Sequence, residues 1–459
     1  MYRNLFFFPG GFFEQLKREA RERGFKIILL VTPHDGKKYR GRLGEGEGEV
    51  YDFETVKVPY PKRIFGKLFY FFYSYLIYTS TTRLLATMGT RPDEPPAGGR
   101  GFLAPLKWGV ARCFGWSRVL RRRLVPAIFI RLYPERPFQE LFRRYRPLAV
   151  FSAHLYGWFD QHLVAEAKRQ GVPTVGMVAN WDHMDKYFLA MHVDKLCVQS
   201  EELTTAAIRY QAYAPGELLL TGYPYFDFLT DRSRAGPRAD VLARIGFPPD
   251  AKFVLYVSGS SYCPDEPDII EAIVTWIAKD ELGEKTYLLV RPYLGGRTKD
   301  REFDEEKYNR FEAHPRVRFY RHDFWDNYGE GVYFMNILRE SDAVLSIFST
   351  MALEAAVLDR PILAIDFDGY ARRPFKRSIR RFALFEHFKH VRATGAMPVA
   401  RNFGELKELL QTTLQKPQEL APARERLRRE LAGPLDGRAA TRLVGALVSS
   451  IPFQKQSQP

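Results

Sequence analysis

The sequence predicts an α/β protein of two doubly wound domains facing a central cleft, and three observations carry that expectation. Short, continuous apolar runs alternate with amphipathic stretches along nearly the whole chain, the pattern of parallel strands covered by helices on both faces. The 459 residues exceed what one hydrophobic core ordinarily organises. Over residues 231 to 252, DRSRAGPRADVLARIGFPPDAK, the pattern breaks into Pro, Gly and charge, and a fresh strand–helix series begins right after it.

In the first series the strand candidates are LFFF (5–8), KIILLV (26–31), LAVFS (148–152), TVGMVA (174–179), KLCVQ (195–199) and ELLLTG (217–222). In the second they are FVLYVS (253–258), YLLVR (287–291), VRFY (317–320), AVLSIF (343–348) and ILAID (362–366). Between them, stretches such as GFFEQLKREARERG and DQHLVAEAKRQG have helical periodicity and close on glycine, which accepts the left-handed backbone that ends a helix. The expected organisation is a first domain over 1–230, a linker over 231–252, a second domain over 253–445 and a tail over 446–459. Residues 91–107, RPDEPPAGGRGFLAPLK, read as a loop.

Composition narrows the function classes. With 46% hydrophobic and 27% charged residues the chain is a globular protein rather than a disordered one. Its cysteines, Cys113, Cys197 and Cys263, are odd in number and scattered, which excludes a disulfide framework and a CxxC zinc site and fits a reducing cytoplasm. The apolar run in MYRNLFFFPGGFF is too short for a signal peptide and is broken by Pro9-Gly10-Gly11. No segment approaches the ~20 apolar residues that span a bilayer. The net charge of +15 is uneven: residues 1–150 hold 28 Lys and Arg against 13 Asp and Glu, while the remaining 309 residues hold 41 of each.

The stretch SIFSTMALEAAVLDRPILAIDFD, residues 346–368, reads as strand, helix, strand. In open parallel sheets ligands bind beyond the carboxyl ends of the strands, where helix N-termini present free N–H groups. Ser349 or Thr350 would cap the helix. Glu354 is misplaced for a capping box but stands four residues after Thr350, on the same face. A phosphate on the helix end and a ribose diol on the Glu354 carboxylate would use this arrangement. A capped helix with a solvated Glu would account for it equally.

With Ser349, Glu354, Ala355 and Pro361 in this order, the segment resembles the donor-nucleotide motif of GT-B glycosyltransferases and their relatives. LLLTGYPYFD (218–227) resembles the segment before the interdomain linker in surface-polysaccharide and CDP-glycerol glycerophosphotransferase-like members of that superfamily. VANWDHMDK (178–186), DKLCVQSEE, RSIRRFALFEHF (377–388) and DGRAATRLV (436–444) are similar to further pieces of the same group. The likeness spans residues 148–445. It implies two Rossmann-like domains (GT-B), an acceptor-side first domain, a donor-binding second domain and chemistry without a bound metal or cofactor, the donor being a nucleotide-sugar or CDP-alcohol substrate. One departure stands out. Relatives often carry Arg/Lys-x-His-Pro after the second strand of the second domain, whereas this chain has Arg291-Pro292-Tyr293.

Other stretches supply candidate roles. In SGSSYCPDE, Ser258, Gly259, Ser260 and Ser261 can bring N–H groups and hydroxyls close to a pyrophosphate, where the family's donor phosphates lie. Arg291, at a strand end, is placed to neutralise phosphate charge. By resemblance YRHDFWDN (320–327) runs past the nucleobase, with Phe324 or Trp325 stacking on it. The basic run Arg372, Arg373, Lys376, Arg377, Arg380 and Arg381 is either a phosphate grip or a solvated charged face. Asp366-Phe367-Asp368 has the form of a DxD metal triplet, and we expect no metal there. A base that deprotonates the acceptor belongs at a strand end of the first domain, where His34, His154, Asp160, Asp182 and His183 are available. His154 and Asp182 are the leading pair.

Residues 61–85, PKRIFGKLFYFFYSYLIYTSTTRLL, join the longest aromatic run to flanking Lys62, Arg63, Lys67 and Arg83. Such a segment suits an anionic membrane interface, or a helix packed inside the first domain. Nucleic acid is disfavoured, because the rings are contiguous rather than spaced for stacking on bases. The expected function is a cytoplasmic, membrane-peripheral glycosyltransferase moving a sugar from a nucleotide-activated donor to a cell-surface glycan or lipid-linked acceptor. The alternatives are a CDP-glycerol-type polyol-phosphate transferase, a nucleotide-sugar epimerase, and a non-catalytic membrane- or polyanion-binding protein.

Overall fold

The computed structural model describes residues 5–44, 48–60, 64–73, 76–88, 103–293, 306–322 and 328–452. The chain forms two compact units: Met1–Thr82, Pro105–Phe228 and Gly433–Pro459 in the first, Arg83–Ala104 and Leu229–Ala432 in the second.

The first unit holds six strands. β1 (Ile27–Val31) pairs in parallel with β2 (Tyr51–Thr55), and β3 (Val150–Ser152), β4 (Thr174–Met177), β5 (Lys195–Val198) and β6 (Leu218–Leu220) form a second parallel sheet in chain order. The run LFFF at 5–8, expected as a strand, is instead a turn. Pro9 and Gly10, the latter at φ 73°, end it at once, yet its side chains pack: the rings of Phe8 and Phe228 stack at 4.1 Å. The helix Phe12–Arg23 follows and closes on Gly24 at φ 69°, as its pattern predicts.

The second unit is one six-stranded parallel sheet, ordered β12–β11–β10–β7–β8–β9. Its strands are β7 (Lys252–Val257), β8 (Thr286–Arg291), β9 (Val317–Phe319), β10 (Ala343–Ser346), β11 (Ile362–Ile365) and β12 (Val399–Ala400). The order steps outward from β7 in both directions, so the carboxyl ends of β7, β8, β10 and β11 share one edge.

Three assignments differ from those expected, the first being Arg83–Ala104, which belongs to the second unit rather than the first. Residues 231–252 are not a bare linker: they contain the helix Arg238–Ile245, whose Val241 and Leu242 are buried. Residues 433 onward belong to the first unit rather than the second. The helix Ala439–Val448 packs Leu443, Val444 and Leu447 with Phe12 and Leu16 of the first helix and with Val175 and Met177 of β4. Its free N-terminal N–H groups are capped from afar, as Ala439 N and Ala440 N donate to the Asp227 carboxylate at 3.1 and 2.8 Å. Arg442 Nε donates to the Thr221 carbonyl at 2.8 Å. A Cβ on Gly222, itself at φ +83°, would stand 3.1 Å from both Ala439 Cβ and the Pro434 carbonyl. LLLTGYPYFD and DGRAATRLV, far apart in the sequence, are thus two halves of one joint. No helix among the described residues is long and apolar enough to cross a membrane.

Candidate functional site

Along the strand-end edge of the second unit, the residues expected to hold a donor divide into two sets. Ser258 and Gly259, just past β7, are committed within the protein. Ser258 Oγ donates to Glu266 at 2.9 Å and accepts from Tyr308 at 2.7 Å, while Gly259 N donates to the same carboxylate at 2.6 Å. Lys307 Nζ, also buried, completes the network at 2.8 Å from Glu266. The turn therefore already carries an anion of its own. Gly259 lies close against Ile347, since a Cβ there would stand 2.5 Å from Ile347 Cδ1 and would push that side chain aside. Ser260 opens the short 3-10 turn Ser260–Tyr262, and Ser261 in it is half-buried. Ser258 and Gly259, expected to face a pyrophosphate, are thus already engaged by a carboxylate of the protein.

The other set faces the edge differently. Arg291 ends β8 buried, its guanidinium 4.4 Å from the Phe334 ring and its carbonyl accepting Ser258 N–H at 3.0 Å. It is not a loose surface arginine. Past β10, Ser349 rather than Thr350 does the local capping: its Oγ accepts from Met351 N at 3.3 Å and shares a hydrogen bond with Ser346 Oγ at 2.9 Å. Thr350 is the boundary residue of the helix Met351–Val357, and its hydroxyl makes no capping bond. Glu354 is buried, which removes the solvated-surface reading for it. A carboxylate out of water needs hydrogen-bond donors around it.

The basic run is not one charged helix. It forms the turns Phe375–Arg377 and Ile379–Leu384, with Arg373 paired to Asp265. Arg381 is fully buried and donates to the carbonyls of Met88 and Lys376. Arg372, Lys376, Arg377 and Arg380 stay exposed. Asp368 accepts from Ile379 N at 2.9 Å, a structural cap. Burial pushes Asp366 up to about 7 against the pull of Arg401, Arg392 and Arg380. Among the described residues no three His, Cys, Asp or Glu side chains gather to hold a metal. Phe324 and Trp325 lie outside the described residues.

In the first unit, four of the five base candidates converge past β3 and β4. The His154 and His183 rings meet edge to face at 5.7 Å, and Tyr156 lies 5.2 Å from His183. His154 Nδ1 is 3.9 Å from Asp160, whose other oxygen accepts from Ser152 Oγ at 2.7 Å. Gly157 makes the approach possible, since a Cβ there would stand 2.5 Å from Asp160 and 3.0 Å from His154 Nδ1. Burial lowers the pKa of His154, lowers that of His183 to about 4 and raises Asp160 to about 7. Both imidazoles are thereby neutral near pH 7, the form a general base needs. Asp182 is nearly buried and paired with Lys186. Burial pulls the lysine down, but Asp182 outweighs it and keeps Lys186 charged. Asp182 is thus already engaged by a cation, whereas the side chain of His154 is 38% exposed. His34, exposed on the helix Pro33–Leu43, belongs to a different element. His183, a candidate from the sequence but not one of the leading pair, packs against His154 in this cluster.

No family model matches the chain, and no curated protein matches it. Solved structures do. A glycosyltransferase from Rickettsia africae aligns over 96% of this chain and 94% of its own at 9% identity, with a TM-score of 0.50. A Listeria monocytogenes protein described as a UDP-N-acetylglucosamine 2-epimerase aligns over 94% and 98% at 14% identity, TM-score 0.50. S. aureus MnaA, solved with UDP, aligns over 95% and 100% at 11% identity, TM-score 0.48. By fold, with its two units of parallel strands and helices, the chain is of the GT-B type, two Rossmann-like domains in one polypeptide.

Proposed function

We propose that this protein is a glycosyltransferase that moves a sugar from a nucleotide-activated donor to a cell-surface glycan or lipid-linked acceptor, at the cytoplasmic face of an anionic membrane. The observation that carries the reading is the strand-end edge of the second unit, where Arg291, Ser349, Thr350 and the buried Glu354 follow β8 and β10 of one sheet. Arg291 would neutralise the leaving nucleoside diphosphate, the helix end at Ser349 and Thr350 would receive a phosphate, and Glu354 would hold the ribose diol. In the first unit neutral His154 would take the acceptor proton. Asp160, 3.9 Å from Nδ1, would stabilise the imidazolium as it forms. Residues 61–85 support the membrane part: Ile64, Phe65, Lys67, Leu68 and Tyr70 are exposed on the helix Ile64–Tyr73.

A nucleotide-sugar epimerase is the second reading, favoured by the Listeria neighbour and by two acid–base groups, His154 and Asp160, standing together. A CDP-glycerol-type transferase would use the same edge with a different donor. The deciding experiment incubates the chain with nucleotide-sugars and CDP-glycerol, with and without membrane extract. Acceptor-dependent release of nucleoside diphosphate supports the transferase. Conversion of the sugar without acceptor supports the epimerase, and neither reaction with any donor sinks both.

A further inference from the structure

The surface behind the membrane reading continues beyond residues 61–85. The helix Ala104–Phe114 is fastened to the aromatic segment, with Lys107 Nζ 3.8 Å above the Phe71 ring of the helix Ile64–Tyr73 and the Arg112 guanidinium 5.4 Å from the ring of Tyr78 beyond it. At its end the chain turns through Gly115. A Cβ there would stand 2.5 Å from the Leu76 carbonyl and would also collide with the Ala111 carbonyl, so glycine alone lets the turn close on that backbone. The turn is rigid by its own bonds: Trp116 Nε1 donates to the Cys113 carbonyl at 2.7 Å, Gly115 N to the Ala111 carbonyl at 2.8 Å, and Leu120 N to Ser117 Oγ at 3.2 Å.

This rigid turn holds its largest apolar side chains in water. Trp116 is 75% exposed, Phe114 56% and Val119 58%, with Arg112 and Arg118 exposed beside them. Single exposed apolar residues need no explanation, but a fixed cluster marks a contact surface. Charge decides the partner, because residues 64–88 and 103–132 contain no Asp or Glu at all. An indole and a phenyl ring flanked by guanidinium groups, in stretches of sequence without Asp or Glu, match the headgroup region of an acidic bilayer. The basic triplet Arg121 to Arg123 is less suited. Arg121 is buried on the Arg209 and Tyr210 carbonyls and Arg122 pairs with Glu217, which leaves Arg123 exposed.

We infer that the turn Phe114–Val119 is a membrane anchor that seats Phe114 and Trp116 among the headgroups of an anionic bilayer while Arg112 and Arg118 meet lipid phosphate. The inference rests on the proposed membrane reading and gives it a second, preorganised contact.

The native cysteines make the test direct: Cys113 is exposed, whereas Cys197 and Cys263 are buried. The full chain, labelled at Cys113 with an environment-sensitive fluorophore, is mixed with vesicles of phosphatidylglycerol and phosphatidylcholine in equal parts, or of phosphatidylcholine alone. The acidic vesicles are expected to blue-shift the label and the neutral ones to leave it unchanged. In sedimentation of unlabelled protein, Trp116→Ala should weaken vesicle binding about tenfold, and Arg112→Ala or Arg118→Ala about fivefold each. Arg118→Ala is the variant expected to leave the unfolding transition in place, and unfolding curves of the Trp116 and Arg112 variants, which also lose the Cys113 bond and the Tyr78 contact, separate lost binding from lost structure. Sedimentation with a silent label would overturn this anchor and leave the membrane reading standing. Failure of the wild type to sediment with acidic vesicles would overturn both, and a blue shift with neutral vesicles alone would overturn the lipid assignment.

Discussion

The two units share an all-parallel design and differ in where they leave their polar and apolar groups. The second unit closes its β7 turn on itself, with Ser258, Gly259, Lys307 and Tyr308 all meeting the buried Glu266. Among its described large apolar side chains only Tyr328, Tyr370, Phe375 and Leu384 stand exposed. The first unit instead gathers neutral histidines at its strand ends, exposes rings from Tyr60 to Trp116, and lies mostly within the stretch that holds the chain's whole charge excess. One architecture thus supports two kinds of surface: an edge closed by its own hydrogen bonds in the second unit, and a first unit that holds a cluster of acid–base groups and also exposes apolar rings. Fold alone does not distribute these roles, since they come from the side chains at the strand ends.

If that contrast carries the function, damage to each side should be separable. The largest effect is expected at His154: His154→Ala should lower kcat by roughly 10²–10⁴-fold, the usual contribution of a general base, while nucleotide affinity stays at the wild-type value. Equal losses in both would place His154 in binding rather than proton transfer. On the other side, Glu354→Ala should weaken a bound nucleoside diphosphate by about 1–3 kcal/mol, the cost of losing hydrogen bonds to a charged group. Calorimetry with unchanged affinity would remove the ribose role.

A smaller effect separates the units by pH. His162 and His183 are held near 4, and His192 near 3, all by burial in the first unit. The unfolded chain binds protons on these rings below pH ~6.5 and the folded unit does not, so stability is present above that pH and is lost as pH falls toward 4. Each ring contributes a slope of up to ~1.4 kcal/mol per pH unit in that window. Asp160, raised to about 7, acts in the opposite sense and offsets part of it. In the second unit Asp366, also near 7, gains stability on acidification. Hydrogen exchange at pH 7 and pH 5 should therefore show the first unit loosening and the second holding; uniform loosening would contradict the assignment. The smallest expected effect is none: turnover, once a donor is found, should survive EDTA. Loss on chelation with recovery in Mg²⁺ or Mn²⁺ would restore Asp366 and Asp368 as metal ligands.

Much of this was legible in the chain itself. Buried parallel strands announce themselves as unbroken apolar runs, so β3 to β11 fall close to their expected positions. β2 escaped because YDFET alternates, with Tyr51 and Phe53 buried and Asp52 and Glu54 turned outward, and β12 has only two residues. The return of the C-terminal helix to the first unit was hidden for another reason. The cap that Asp227 provides to Ala439 and Ala440 links residues 212 and 213 apart, beyond any local signal. At the candidate site, residue types and strand ends were readable, but not which partner each had already taken. Ser258 and Gly259 look like a phosphate turn until Glu266, seven and eight residues on, fills it. Asp182 reads as a lone strand-end carboxylate, and only the structure shows it paired with Lys186, four residues on.

The central claim is that a nucleotide binds the strand-end edge of the second unit. Hydrogen exchange of the full chain with and without UDP, CDP, GDP and ADP tests it most directly, because a ligand that binds only the folded state slows opening where it sits. At least one of these nucleotides is expected to protect the segments after β8 and β10, residues 291–293 and 346–354, while the segments after β3 and β4 exchange as before. Protection by none of the four, or protection confined to the first unit, would contradict the account.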